Sequence, residues 1–138
     1  MNEYAERIAA IGAAANPTFM TLGITPVSWG GGEAVLKMTA ADRFQNGIGF
    51  LQGGFYVILA DEAIALAILA ELDSDQGTTT ISETTEFIRG TKNDEIFAVA
   101  KIIRKGRRII FAEAEVRRGS IDGDLLSKTT ASYLITQC

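Results

Sequence analysis

The segment from Gln52 to Leu72 is dense in Ala, Leu and Ile and reads as one long helix. Phe55, Val57, Ile58, Leu59, Ile64, Leu66, Ile68 and Leu69 leave it no wide polar stripe. A helix that is apolar on nearly all sides must be covered all round. A curved sheet wrapped around it covers most of that surface, and a partner subunit covers the rest. This demand constrains the fold more than any other feature of the chain.

The remaining residues supply such a sheet. Glu3 to Ala15 reads as a short helix ended by Asn16-Pro17. Phe19 to Ser28 reads as a strand, Gly30-Gly31-Gly32 as a turn, and Glu33 to Thr39 as a strand with Ala34, Leu36 and Met38 on one face. Ala40 to Leu51 connects to the long helix. After Gly77 the chain turns rich in Thr and Ile, and strands are expected over Thr78–Ile88, Glu95–Arg104, Arg108–Arg118 and Leu125–Thr136. In the third of these, Ile110, Ala112, Ala114 and Val116 face one way and Glu113, Glu115 and Arg117 the other. Short turns at Lys105-Gly106 and Gly119–Gly123 imply antiparallel pairing. The order is helix, two strands, long helix, four strands: an α+β fold with an antiparallel sheet of about five to six strands around a central apolar helix. At 138 residues, with no linker or repeat, 1–138 reads as one domain.

Composition narrows the chemistry. The chain has 0 histidines, so Ser-His-Asp and Cys-His mechanisms are excluded, and the commonest metal ligand is missing. No metal site is expected. Its 1 cysteine, Cys138, allows no intrachain disulfide, which suits a reducing compartment. The net charge of -4 argues against a nucleic-acid partner. Residues 1–16 lack the basic start and apolar run of a signal peptide, and Asp61-Glu62 interrupts the apolar run of the long helix. No membrane partner is expected, and the cytoplasm is the default setting.

Two features carry candidate chemistry. Gln52-Gly53-Gly54 opens the helix, where the first N–H groups lack partners and lie at the positive end of the dipole. Such a site can bind a carbonyl oxygen as it gains negative charge. A tight loop-to-helix junction packed on a strand would use the same glycines, and both readings stand. Asp61 lies between Ala60 and Glu62-Ala63, within the apolar stretch, where a carboxylate is costly unless paired or functional. Asp61 and Glu62 diverge by about a quarter turn and cannot share a site. Gly53 and Asp61 lie about 12 Å apart along the axis, so one reacting carbonyl cannot touch both within one chain. If they cooperate, they come from two subunits whose helices run antiparallel across a two-fold axis.

The pattern Asn46, Gly49, Gln52-Gly53-Gly54, Asp61-Glu62-Ala63 resembles the hotdog-fold thioesterases of the phenylacetate-pathway (PaaI-like) type. Those relatives read Asn, then a His-Gly-Gly six residues on, then Asp nine residues after the His. The spacings 46 to 52 and 52 to 61 hold here, and the helix and four following strands match in order, so the likeness spans most of the chain. It implies hydrolysis of an acyl-CoA thioester. Asp61 would be the nucleophile or the base that activates water, and the Gly53 N–H would polarise the thioester carbonyl. Asn46 would place nucleophile, water or substrate, and a hydroxyl on the following strand, Thr79 or preferably Thr80, would assist the carboxylate. Gln52 stands in the histidine slot. It can donate a hydrogen bond but cannot carry a titratable proton. The resemblance also implies a homodimer, paired further into a dimer of dimers, and no cofactor beyond the coenzyme A of the substrate.

The cluster Arg104, Lys105, Arg107 and Arg108 suits a phosphate contact, as coenzyme A would require. A solvated hairpin turn is the commoner reason for exposed charges of this kind. Gly54 and Arg89 are further substrate-binding candidates, with Lys92 and Lys128 behind them, and Trp29, Phe50 and Tyr56 could line an acyl pocket. Two other activities fit the same fold. A dehydratase is disfavoured by the missing histidine, whereas a non-catalytic acyl-CoA or aromatic-ligand binding dimer is kept open by Gln52.

Overall fold

The computed structural model describes residues 1–137, and Cys138 lies outside the described residues. Helix α1 spans Glu3–Ile11 and runs into a short 3-10 turn, Gly12–Ala15. Helix α2 spans Pro17–Leu22. Strands β1 (Thr25–Gly30) and β2 (Glu33–Thr39) precede the long helix α3, Gly53–Leu69. Strands β3 (Gln76–Phe87), β4 (Glu95–Lys105), β5 (Ile109–Arg118) and β6 (Leu125–Gln137) follow.

The six strands form one antiparallel sheet in the order β1-β2-β4-β5-β6-β3. Its concave face holds α3. Where the helix crosses the centre of the sheet, alanines stand in register with one another or with a branched residue: Ala100 opposite Ala114, Ala98 opposite Val116 and Ala112 opposite Ile102. These alanines are fully buried, as are Leu59, Ala60, Ala63, Ile64, Leu66, Ala67 and Ile68 of α3. Small residues on both surfaces let the helix approach closely, and each buried Leu or Ile contributes about 1.5–3 kcal/mol. The alternations expected in β2 and β5 are present, with Ala34, Leu36 and Met38, and Ile110, Ala112, Ala114 and Val116, all facing the core. The tight turn between β1 and β2 requires its three glycines, since Gly30, Gly31 and Gly32 all have positive φ (127°, 65° and 81°).

The strand expected from Phe19 to Ser28 is corrected. Its first residues are helix α2, and β1 begins only at Thr25. The Asn16 side chain accepts from the Thr18 and Phe19 N–H groups, Pro17 takes the first helical position, and Gly23 closes the helix at φ 73°. Asn16-Pro17 therefore starts a helix as well as ending the preceding segment. The first helix also stops earlier than expected, at Ile11, where Gly12 takes φ 61°.

Cover on the face of α3 away from the sheet comes from the N-terminal helices. Ala5, Ile8 and Phe19 are buried, and the Asn2 N–H donates to the Leu69 carbonyl at the far end of α3. This cover is incomplete: Gly54 and Ile58 are exposed, and Asp61, Glu62 and Ala65 are half-buried. Strand β3 closes one side of the sheet, and among the described residues it pairs only with β6, which leaves its outer edge free.

Candidate active site

The loop before α3 is built around Asn46. Its Oδ1 accepts from the Ile48 and Phe50 N–H groups at 3.0 and 3.1 Å, and its own N–H donates to the Phe50 carbonyl at 2.6 Å. This closes a small loop with Gly49 at φ 90°. Asn46 therefore shapes the entrance to α3. Gln52 is the N-cap residue, exposed and making no side-chain hydrogen bond to the helix. Among the described residues no acceptor takes the Gly53 or Gly54 N–H, so the positive end of a 17-residue helix is open.

A cleft of about 310 Å³ lies beside that helix start. Asn46, Phe50, Gly53, Tyr56, Phe87 and Arg89 line part of it. The Phe87 ring crosses Tyr56 edge to face at 6.0 Å between centroids. It also lies so close to Gly53 that an added Cβ would come within 3.3 Å of it. Gly53 is thus the residue that admits Phe87 against the helix. Of the aromatics proposed for an acyl pocket, Phe50 and Tyr56 line this cleft, whereas Trp29 stands on β1 opposite Ala34. Arg89 lines the cleft too, but its guanidinium pairs with Asp124 at 3.1 Å.

Asp61 belongs to a second group, two turns along α3. Its Oδ1 accepts from Thr80 Oγ1 at 3.2 Å and from the Tyr133 hydroxyl in a short hydrogen bond. Thr80 and Tyr133 are direct cross-strand partners on β3 and β6, so one rung of the sheet delivers both donors. Burial, then the bond to Asp61, pushes the Tyr133 hydroxyl far above its ordinary value, so it stays protonated and donates to Asp61. Thr79 is paired with Leu134 on the opposite face, which favours Thr80 of the two threonines.

Next to Thr80 the ladder slips by one residue: Thr80 opposes Tyr133, and Ser82 opposes Ser132. Ile81 is the extra residue of a β-bulge. In a regular strand, residues 80 and 83 face opposite ways. The bulge turns Glu83 to the same side as Thr80, beside the carboxylate of Asp61. Burial and the charge of Asp61 push Glu83 up to about 7.

Glu62, adjacent in sequence, goes elsewhere. Asn16 Nδ2 donates to its Oε2 at 3.1 Å and to the Tyr4 hydroxyl at 2.9 Å. Burial raises its carboxyl, an effect opposed by the Asn16 bond and reinforced by the charge of Asp61. Among the described residues Glu62 has an amide as its partner and no basic side chain.

The expected residues therefore fall into three places. Asn46, Gly53 and Arg89 meet at the cleft, with Gln52 and Gly54 on the same helix start. Asp61 and Thr80 meet one helix segment away. The basic cluster lies at the other end of α3: Lys105 Nζ donates to the Glu71 carbonyl at 3.1 Å, and Arg104, Arg107 and Arg108 are exposed around the β4–β5 turn. Tyr133, Glu83 and Phe87 are site residues beyond those expected from the sequence. Among the described residues no group of three or more His, Cys, Asp or Glu side chains could hold a metal ion. No helix is long and apolar enough to cross a membrane.

An antiparallel sheet of six strands wrapped on one long helix, with glycines opening that helix and an acid within it, is the hotdog architecture. The sequence model of the thioesterase superfamily matches residues 48–123, more than half of the chain, and the chain belongs to that superfamily. No curated protein sequence matches it. Among solved structures it is similar to a conserved protein of Pseudomonas aeruginosa, at 29% identity over 88% of this chain and 94% of that one, with a TM-score of 0.81. It is similar in fold to the PaaI protein of the E. coli phenylacetic acid degradation operon, at 22% identity over 95% and 92% of the two chains (TM-score 0.83). A mutant PaaI of Thermus thermophilus gives 24% identity over 86% and 98% (TM-score 0.78). The pattern of Asn46, Gln52-Gly53-Gly54 and Asp61 resembles hotdog thioesterases, and the superfamily to which the chain belongs is that of the thioesterases.

Proposed function

We propose that this protein hydrolyses an acyl-CoA thioester to the free acid and CoA, with each site shared between two copies of the chain. The observation that carries this reading is Asp61: a carboxylate within an apolar helix, oriented by two hydroxyl donors from adjacent strands. Asp61 takes a proton from the water that attacks the thioester carbonyl, or attacks that carbonyl itself to give a mixed anhydride that water then hydrolyses. The C–S bond breaks, the acyl group leaves as the carboxylic acid, and the thiolate of CoA takes up a proton. A thiolate is a good leaving group, so Gln52 in place of a histidine does not forbid the step. The open N–H of Gly53 stabilises the developing oxyanion. No separate cofactor is needed, and the reading assumes a reducing compartment, the cytoplasm.

Two observations support the shared site. Gly53 and Asp61 are about 12 Å apart along one helix. Both lie where α3 meets β3, Gly53 against Phe87 and Asp61 against Thr80, and the outer edge of β3 is free. A second copy docked on that edge across a two-fold axis sets the Asp61 of one chain opposite the Gly53 of the other. In this arrangement Asn46 shapes the loop, and Phe50, Tyr56 and Phe87 receive the acyl group. The basic hairpin and Arg89 serve the phosphates of CoA, and pairs of dimers form the tetramer.

Thiol release from a panel of acyl-CoA esters tests the activity, with turnover expected in the wild type and lost in Asp61→Ala. Mixing Asp61→Ala with an inactive Gly53 variant is expected to restore part of the activity in heterodimers. No restoration despite confirmed subunit exchange rules out the shared site. The exposed, unpartnered Gln52 favours one rival, a binding module, and CoA-ester binding without turnover in the wild type would establish it.

A further inference from the structure

Glu83 has no role in the reaction so far, yet it lies beside the residue on which that reaction depends. Its Oε2 is buried and has no hydrogen-bond donor among the described residues. Asp61 Oδ1, in contrast, receives both the Tyr133 and the Thr80 hydroxyl. Two neighbouring carboxylates cannot both be ionised cheaply, and the poorly solvated one retains the proton. The donors decide which one that is. Two O–H groups donate to Asp61, and among the described residues none donates to Glu83 Oε2.

The titratable groups that face Glu83 are Asp61 from α3 and Tyr133 from β6. Its cross-strand partner on β6 is Ala131, and no salt bridge reaches it among the described residues. Lys128, the nearest cation along β6, stands opposite Glu86 and pairs with Glu113 at 3.3 Å. Among the described residues of this chain no basic side chain pairs with Glu83.

We infer that Glu83 is a positioning residue of the hydrolytic site: it carries the one proton that the Asp61–Glu83 pair holds, donates it as a hydrogen bond to Asp61, and so keeps Asp61 as the lone, oriented carboxylate. This rests on the assignment of Asp61 above. The active form is the singly protonated pair. Loss of its proton sets two negative charges side by side and removes the bond that helps to orient Asp61. Glu83 is raised to about 7, so that loss falls in the neutral range.

The pH dependence of kcat/KM for thiol release, in wild type, Glu83→Gln and Glu83→Ala, tests the inference. The wild type is expected to lose activity above the neutral range, about tenfold per pH unit. In Glu83→Gln the amide is a permanent neutral donor, so activity is retained and the alkaline limb disappears. Glu83→Ala, which has no donor, is expected to be low at every pH, and Glu83→Gln then counts as rescue. A Glu83→Gln profile that matches the wild type overturns the inference. Carbon-13 NMR of the side-chain carboxyls gives a readout independent of turnover. Glu83 should titrate near 7 in the wild type and move toward the ordinary 4.5 in Asp61→Asn. A wild-type Glu83 that titrates in the ordinary range overturns the shared proton. A wild type without turnover overturns the hydrolase reading and the positioning role together, while the NMR midpoint still decides where the proton lies.

Discussion

Asp61 and Glu62 are neighbours on one helix, yet they answer to different halves of the molecule. Asp61 is held by the sheet, through hydroxyls of β3 and β6. Glu62 is held by the N-terminal helices, through an amide that also caps α2. Hydroxyl donors beside an open helix face orient a carboxylate and leave it able to react. An amide that simultaneously caps a helix ties its carboxylate into the frame. The chemistry of an acid in a buried helix is thus set by which element reaches it.

The largest expected effect separates the two acids directly. Asp61→Asn should lower kcat/KM for thiol release by about 10²- to 10⁴-fold, whereas Glu62→Gln should stay within about twofold. Comparable losses in both would end the distinction. Next, Tyr133→Phe removes one donor from the Asp61 carboxylate and should cost about 1.5–3 kcal/mol of transition-state stabilisation, with the urea midpoint little changed. An unchanged kcat would remove Tyr133 from the site.

The smallest effect lies on the other side. Asn16→Ala should destabilise the fold by about 1–2 kcal/mol through its lost cap, measured by urea unfolding, and leave kcat unaltered. Its pH dependence follows from Glu62, whose carboxyl is raised in the folded state. The stability that a raised carboxyl contributes is present below its unfolded value and is lost as pH rises through the folded one. Asn16→Ala removes the bond that holds that rise down. The deficit relative to wild type should therefore grow from acid toward neutral pH, and a deficit that shrinks would contradict the role given to Asn16.

Much of this was legible in the residues. The apolar girdle of α3 demanded a wrapped sheet, and period-two alternation located the core faces of β2 and β5. Asp61 stood out because a carboxylate among alanines and isoleucines has few cheap explanations. Phe19–Leu22 was misread because Asn-Pro signals an ending and a cap with the same two residues. Tyr133 gave no local signal, since its importance comes from standing opposite Thr80, 53 positions earlier in the chain. Glu83 was hidden by parity, because strict alternation from Thr80 puts it on the wrong face and only the bulge at Ile81 reverses that.

That bulge also determines how β3 tolerates changes in length. A chain without Ile81 keeps Thr80 opposite Tyr133 and Ser82 opposite Ser132, so Glu83, Thr85 and Phe87 still point at α3. Loss of Thr84 instead turns Thr85 and Phe87 outward and takes the Phe87 ring away from Gly53 and the cleft. Viable deletions in this strand are therefore confined to the one residue that the ladder already leaves unpaired.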